Sequence, residues 1–249
     1  MIEPSVFIGA PTNFKNICLI YPPTVKEVIT NPNFSAFEKM LTITGEDIVE
    51  ESKGQSNLSS LEFLLSCAYN SMEFRQLAQW AFEFFLKEPV TFYYEEKQII
   101  VGDLKKELQK IQDLKALRVL DETNYLDFQN EIRFALGREV YKPPEESPAN
   151  EDPRITAIKE KARKRDRLKA KQKNGKDGIH FSTCLVAICC MGVGITPLNI
   201  GELSYASIST LMNMMQDKEK YDIDIRSLLA GADSKKIKPK YWIRNSDKE

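Results

Sequence analysis

Histidine is almost missing from this sequence: there is one, His180, in 249 residues. A lone histidine excludes histidine metal clusters and histidine relays, since each needs a second ligand or an orienting partner. It lies between Ile179 and Phe181 at an expected helix start, where capping or packing is its expected role. Cys184 follows one turn later, but nothing in the pattern orients an imidazole toward it. The five cysteines, at 18, 67, 184, 189 and 190, are odd in number and match no zinc spacing. Reduced structural thiols are expected, with those of the apolar stretch acting as small buried hydrophobes. Phosphate loops are missing as well: Gly192-Val193-Gly194 and Gly175-Lys176 are fragments that complete neither GxxxxGK[ST] nor GxGxxG. Asp222-Ile223-Asp224 is too sparse for a calcium loop.

Long hydrophobic runs are lacking too. The most apolar stretch, 179–195, contains His180, Ser182 and Thr183 and falls short of the roughly 20 residues that cross a bilayer. A buried helix is expected there, with no membrane partner. Met1-Ile2-Glu3-Pro4 lacks a basic segment leading into an apolar core, so no secretory leader is expected. An excess of charge of one sign is also absent, since the net charge is −1. Together these absences point away from catalysis and toward a protein without metal or cofactor that binds macromolecules.

What is present organises the chain into three parts, 1–141, 142–178 and 179–249. The first is read as α+β and mostly helical. Val6-Phe7-Ile8 and Ile17–Tyr21 are expected as strands joined through the turn Gly9–Asn13, with Pro22-Pro23 ending the ladder. Short helices follow at Val25–Ile29 and Phe34–Leu41, and then a polar loop from Glu46 to Asn57. Ser59 or Ser60 caps a helix with Leu61, Leu64, Leu65 and Ala68 on one face. After a break at Asn70-Ser71, the helical spacing resumes with Phe74, Leu77, Ala78, Ala81, Phe82 and Phe85. Beyond Pro89, Val90–Tyr94 and Gln98–Val101 form a β-hairpin around Glu95-Glu96-Lys97. A helix carrying Leu104, Leu108, Ile111, Leu114 and Leu117 follows. A last one, Tyr125–Leu136, is capped by Thr123 or Asn124 and stopped by Gly137.

The middle part opens with a proline- and acid-rich stretch, Lys142–Pro153, the composition of an extended, solvated tether. The run 154–176 then carries eleven Lys/Arg against Glu160 and Asp166, a net of +9 that leaves −10 for the rest of the chain. Its charge is densest at Arg163, Lys164, Arg165 and Arg167. As a helix it is basic nearly all round. It suits a solvated spacer, a contact to an acidic protein surface, or a contact to nucleic-acid phosphates. With no aromatic residue inside it, a base-stacking platform is excluded.

The last part is a small helical module: the apolar helix near 180–193, the turn Gly194–Pro197, a helix over Ser204–Gln216, a short one at Asp224–Leu229 ending at Gly231, and a charged tail around Tyr241-Trp242-Ile243. Leu211, Met212 and Met215, with Ile208, make an apolar stripe that suits an adaptable binding groove, because methionine packs against varied partners. The tether before this module implies that it stands off from the first part and completes its core with a partner.

Two stretches carry a resemblance to known proteins. Ile17-Cys18-Leu19-Ile20-Tyr21-Pro22-Pro23-Thr24-Val25-Lys26-Glu27-Val28-Ile29 resembles an N-terminal I-x-P-P-x-V-x-D/E-V signature. Leu198-Asn199-Ile200-Gly201-Glu202-Leu203-Ser204-Tyr205 is similar to a C-terminal L-N-I-W-D-L-T-x-Y element, with Gly201 where that pattern has an aromatic. Both belong to the tail-assembly-chaperone-like proteins of tailed bacteriophages. The resemblance implies a non-enzymatic morphogenesis protein acting in the host cytoplasm, which holds the tape-measure helix soluble and recruits tail-tube subunits. The alternatives are a structural virion component (baseplate, neck or connector) and a nucleic-acid-binding accessory protein using 154–176.

Overall fold

The computed structural model describes residues 4–51, 58–103, 117–143, 154, 161–162, 165, 180–191, 194–233 and 237–240. The protein is α+β and mostly helical. Its main unit joins residues up to Val140 with those from Ile195 onward, while Tyr141–Gly194 forms a second unit.

In the main unit the first apolar segment is a short helix, α1 (Pro4–Phe7), rather than a strand. Pro4 opens it, the place in a helix where a missing N–H costs nothing. The hairpin expected nearby forms instead between β1 (Thr12–Phe14) and β2 (Cys18–Ile20), paired Thr12 with Ile20 and Phe14 with Cys18. Lys15 and Asn16 turn it with positive φ of 48° and 59°. Asn tolerates that region, which is why the turn falls there rather than at the Pro11 segment.

Helix α2 (Val25–Thr30) begins with a capping box: the Thr24 side chain accepts from the Glu27 amide, and Glu27 accepts from the Thr24 amide. Helix α3 (Phe34–Thr42) follows. Helix α4 (Gly45–Glu51) occupies part of the segment expected as a loop, because Thr44 caps it through Asp47 and Ile48 packs inward. Helices α5 (Ser60–Asn70) and α6 (Met72–Leu86) meet at Ser71, which ends one and caps the other. β3 (Val90–Tyr93) and β4 (Gln98–Val101) form the expected hairpin, and β5 (Val119–Leu120) adds a third antiparallel strand. The expected helix over 104–117 lies outside the described residues except for Leu117. Helix α7 (Tyr125–Ala135) completes this part. Asn124 starts it without a side-chain cap, its amide being turned back to the Val119 carbonyl and its oxygen to the Asp121 amide.

One core joins these elements. Phe82 of α6 stacks on Phe128 of α7 at 5.7 Å, and Phe92 of β3 and Phe14 of β1 meet the pair edge-on. The C-terminal carbonyls of α3, which no helix bond can satisfy, are taken up from α7. Gln129, almost wholly buried, donates to the Leu41 and Ile43 carbonyls at 3.2 and 2.9 Å, and Arg133 donates to Thr42.

Residues from Ile195 onward do not stand off on a tether as the sequence suggests; they pack within the main unit. A 3-10 turn (Ile200–Glu202) leads into one continuous helix, α8 (Tyr205–Leu229), in place of the separate helices expected at Ser204–Gln216 and Asp224–Leu229. Asp217 to Tyr221 contains no Gly or Pro to break it, and Lys218 pairs with Asp222 one turn on at 3.1 Å. Gly231, at φ 93°, stands just past its end. In the second unit, Phe181–Cys190 is a ten-residue helix.

Candidate functional site

The two stretches that carry the resemblance are far apart in sequence and side by side in space. Pro22 and Pro23 cannot donate to a ladder, but the Pro23 carbonyl still accepts, and it takes the Tyr205 amide at 2.8 Å. Two residues on, the Val25 amide donates to the Leu203 carbonyl at 2.9 Å, so that Thr24 and Ser204 form an antiparallel bridge. The Tyr205 ring meets Phe34 of α3 edge-on at 5.5 Å. Gly201 lies against α2: a Cβ there would come within 3.3 Å of the Lys26 Cβ. A side chain at this position would need Lys26 to give by a few tenths of an ångström, so glycine eases the approach of the two segments. On the far side, Gly137 at the end of α7 lets the first turn of α8 approach so closely that an added Cβ would meet the Ala206 Cβ at 3.0 Å.

A half-buried ion pair, with the carboxylate side covered and the guanidinium side open to solvent, lies beside this junction. Glu38 of α3 pairs with Arg138, its side chain only 14% exposed. Burial pushes the Glu38 carboxyl above its ordinary value, with Arg138 and then Arg133 pulling it back, and burial also raises the nearby Tyr205 hydroxyl. A carboxyl whose folded pKa is raised binds its proton more tightly folded than unfolded, so it costs stability as pH rises above the ordinary carboxylate value. Removing the cation widens that gap. Because solvent screens the half-exposed guanidinium, Arg138→Met is expected to lose about 1 kcal/mol at pH 7 and less near pH 4.5, as read by urea unfolding at both pH values. A loss independent of pH would mean that Glu38 is not the group concerned. Sequence reasoning missed this network, because nothing in the spacing of Glu38 and Arg138 distinguishes them from solvated charges.

α8 also packs against α1, and after its first turn none of its described residues is fully buried. Ala206, Ser207 and Ile208 are its buried residues, all in its first turn. The expected partner stripe, Leu211, Met212 and Met215, is half-buried, and Met214, Ile223 and Leu229 are exposed. Of the basic residues singled out, Arg165 is exposed and helical, while Arg163, Lys164 and Arg167 lie outside the described residues, as do most of 142–178 and Trp242. The structure thus does not bring the stripe and the basic cluster into one described site.

The 181–190 helix was expected to be buried, yet Ile188 is its one buried residue and Val186 is 62% exposed. His180 precedes it as an exposed N-cap residue whose side chain makes no capping bond. Cys190 is exposed and Cys184 and Cys189 are half-buried, so these thiols are not the core hydrophobes expected. Cys18 is: burial, followed by the charge of Glu88, pushes its thiol up to about 12, which leaves it an inert structural group.

A separate open depression of about 280 Å³ is lined by Leu58, Leu65, Tyr69 and Tyr94 and rimmed by the Glu62–Lys97 pair. Tyr94 stacks edge-on with Tyr69 at 5.3 Å, and Arg75 lies over its other side while donating to the Ala68 carbonyl at 2.9 Å. These contacts close the C-terminal end of α5. Among the described residues there is no group of three His, Cys, Asp or Glu able to share a metal ion, and no helix long and apolar enough to cross a membrane.

In comparison with known proteins, residues 170–247 match the family described as the YomV second domain, a phage-derived family. The matched region includes the turn at 200–202, all of α8 and the 198–205 stretch. No curated protein and no solved structure matches the chain.

Proposed function

We propose that this is a bacteriophage morphogenesis protein that acts without catalysis, as a tail-assembly chaperone in the host cytoplasm. The observation that carries the reading is the Pro23–Val25 and Leu203–Tyr205 junction: the two stretches resembling tail-assembly-chaperone-like proteins are paired with each other. Their pairing in one structure gives the resemblance a common physical basis. The similarity of 170–247 to a phage-derived domain supports the phage context.

In this reading the main unit is the scaffold, and α8 is the arm that meets an apolar helix of the tape-measure protein through Leu211, Met212 and Met215. Tail-tube subunits are the second partner. Replacing these three residues with Ser is expected to abolish co-purification with the tape-measure protein at unchanged circular dichroism, because none is fully buried. If the triple variant unfolds the main unit, the stripe is ordinary core and the docking role fails. Mass spectrometry of purified particles separates the chaperone, absent from them, from a baseplate, neck or connector component, present in them.

A further inference from the structure

α8 has an internal symmetry that begins within the partner stripe and extends well beyond it. Leu211, Met215, Lys218, Asp222, Ile225 and Leu229 recur at spacings of four, three, four, three and four, the a/d seam of a coiled coil. The opposite side carries Asn213, Gln216, Lys220, Asp224 and Ser227, all polar. No described residue of α8 after Ile208 is fully buried: Leu211, Met215, Asp222 and Ile225 are half-buried, while Lys218 and Leu229 are exposed. The 25 residues span about 37 Å at 1.5 Å each, enough for three heptads.

The seam reads the same in both directions about Lys220. Run antiparallel to itself, it sets Leu211 against Leu229, Met215 against Ile225, and Lys218 against Asp222. Met212 and Leu228, just beside the seam, pair across it in the same way. We propose that α8 closes on the α8 of a second copy of this chain as an antiparallel two-helix coiled coil along this seam. Along the full seam, charge selects the second copy over an unrelated apolar helix. Such a helix would cover Lys218 and Asp222 and offer them no counter-charge, a costly burial. A second copy answers each with its opposite, joining the 3.1 Å Lys218–Asp222 pair of each helix into a four-charge network. Polar seam positions matched in this way fix register and orientation. A partner that meets only Leu211, Met212 and Met215 does not reach Lys218 and Asp222 and binds with the dimer open, since Leu211 and Met215 serve both. The proposal does not rest on the chaperone reading, since it concerns the purified chain alone.

Sedimentation velocity on the full chain and two charge reversals tests it. Lys218→Glu makes both polar seam positions acidic, and Asp222→Lys makes both basic. Each alone is expected to weaken the dimer about tenfold or more, since like charges then face each other twice. Their equimolar mixture is expected to return to within about threefold of the unaltered strength, because the heterodimer restores both pairs. A simple loss of helix stability would weaken the mixture too. Should the reversals disturb α8 by circular dichroism, Leu229→Asp at the exposed end serves instead and is expected to favour the monomer. An unaltered chain that stays monomeric at about 0.1 mM, where a pair with a dissociation constant near 10 µM is mostly assembled, overturns the proposal. A dimer that neither the reversals nor Leu229→Asp weaken overturns it as well.

Discussion

Replacing Phe82 with alanine is expected to lower the unfolding free energy by about 3–5 kcal/mol, most of what a domain of this kind has to spare. The side chain is fully buried, stacks on Phe128 at 5.7 Å and meets Phe92 at 6.1 Å, so its removal opens a cavity where α6, α7 and β3 converge. Packed helices and strands cannot collapse together into such a void, and the lost contacts stay lost. Chemical denaturation read by tryptophan fluorescence measures the change. Phe82→Leu should recover more than half of it, because most of the volume returns and only the ring contacts are missing. A loss below about 1.5 kcal/mol for the alanine variant would mean that this aromatic cluster is not the centre of the core.

Gly137→Val is expected to act locally and nearly as strongly, by about 2–4 kcal/mol. Two separate penalties coincide there. The backbone has φ 69°, which a β-branched residue adopts only under strain, and the new Cβ would fall 3.0 Å from the Ala206 Cβ and 3.1 Å from its Cα. The second contact involves backbone, so rotamer changes cannot relieve it. The first turn of α8 should lift away, and amide exchange at Val25 and Tyr205, whose hydrogen bonds cross the junction, should quicken while the Phe82 core stays protected. Adding Ala206→Gly should recover part of the loss by removing the Cβ clash while leaving the strain. Slow exchange at Val25 and Tyr205 in the valine variant would show that Gly137 does not control the docking of α8.

Several elements were legible in the residues because their determinants are local. Leu61, Leu64, Leu65 and Ala68 are all buried on α5, and Ser59 and Glu62 form the capping box at its start. The Val90–Tyr93 and Gln98–Val101 hairpin follows from two short β-branched and aromatic runs around a short polar turn. The N-terminal hairpin was misplaced by one segment, because Val6-Phe7-Ile8 has strand composition but follows a proline suited to opening a helix. α4 was missed because its cap, Thr44 with Asp47, precedes a segment too polar for periodicity to register. β5 is only two residues long and shows no alternation at all.

Of the candidate site, the residues of both resembling stretches and the stripe on α8 could be named from sequence, but their relation could not. An acidic, proline-rich tether followed by a basic run suggested a module held at a distance, because composition reports solvation and says nothing of where a chain returns. Only the tertiary structure decided that residues 203–205 come back to pair with 23–25. That pairing rests on carbonyl and amide groups every sequence possesses, with two glycines, 137 and 201, making room for the approach. By itself the sequence determined the helical, α+β character of the protein and the order of apolar and charged residues over 205–229, but not that this segment is one helix. Periodicity and charge order along one helix are properties of neighbouring residues, whereas the junction, the Glu38–Arg138 pair and the exposure of α8 exist only once distant segments have met.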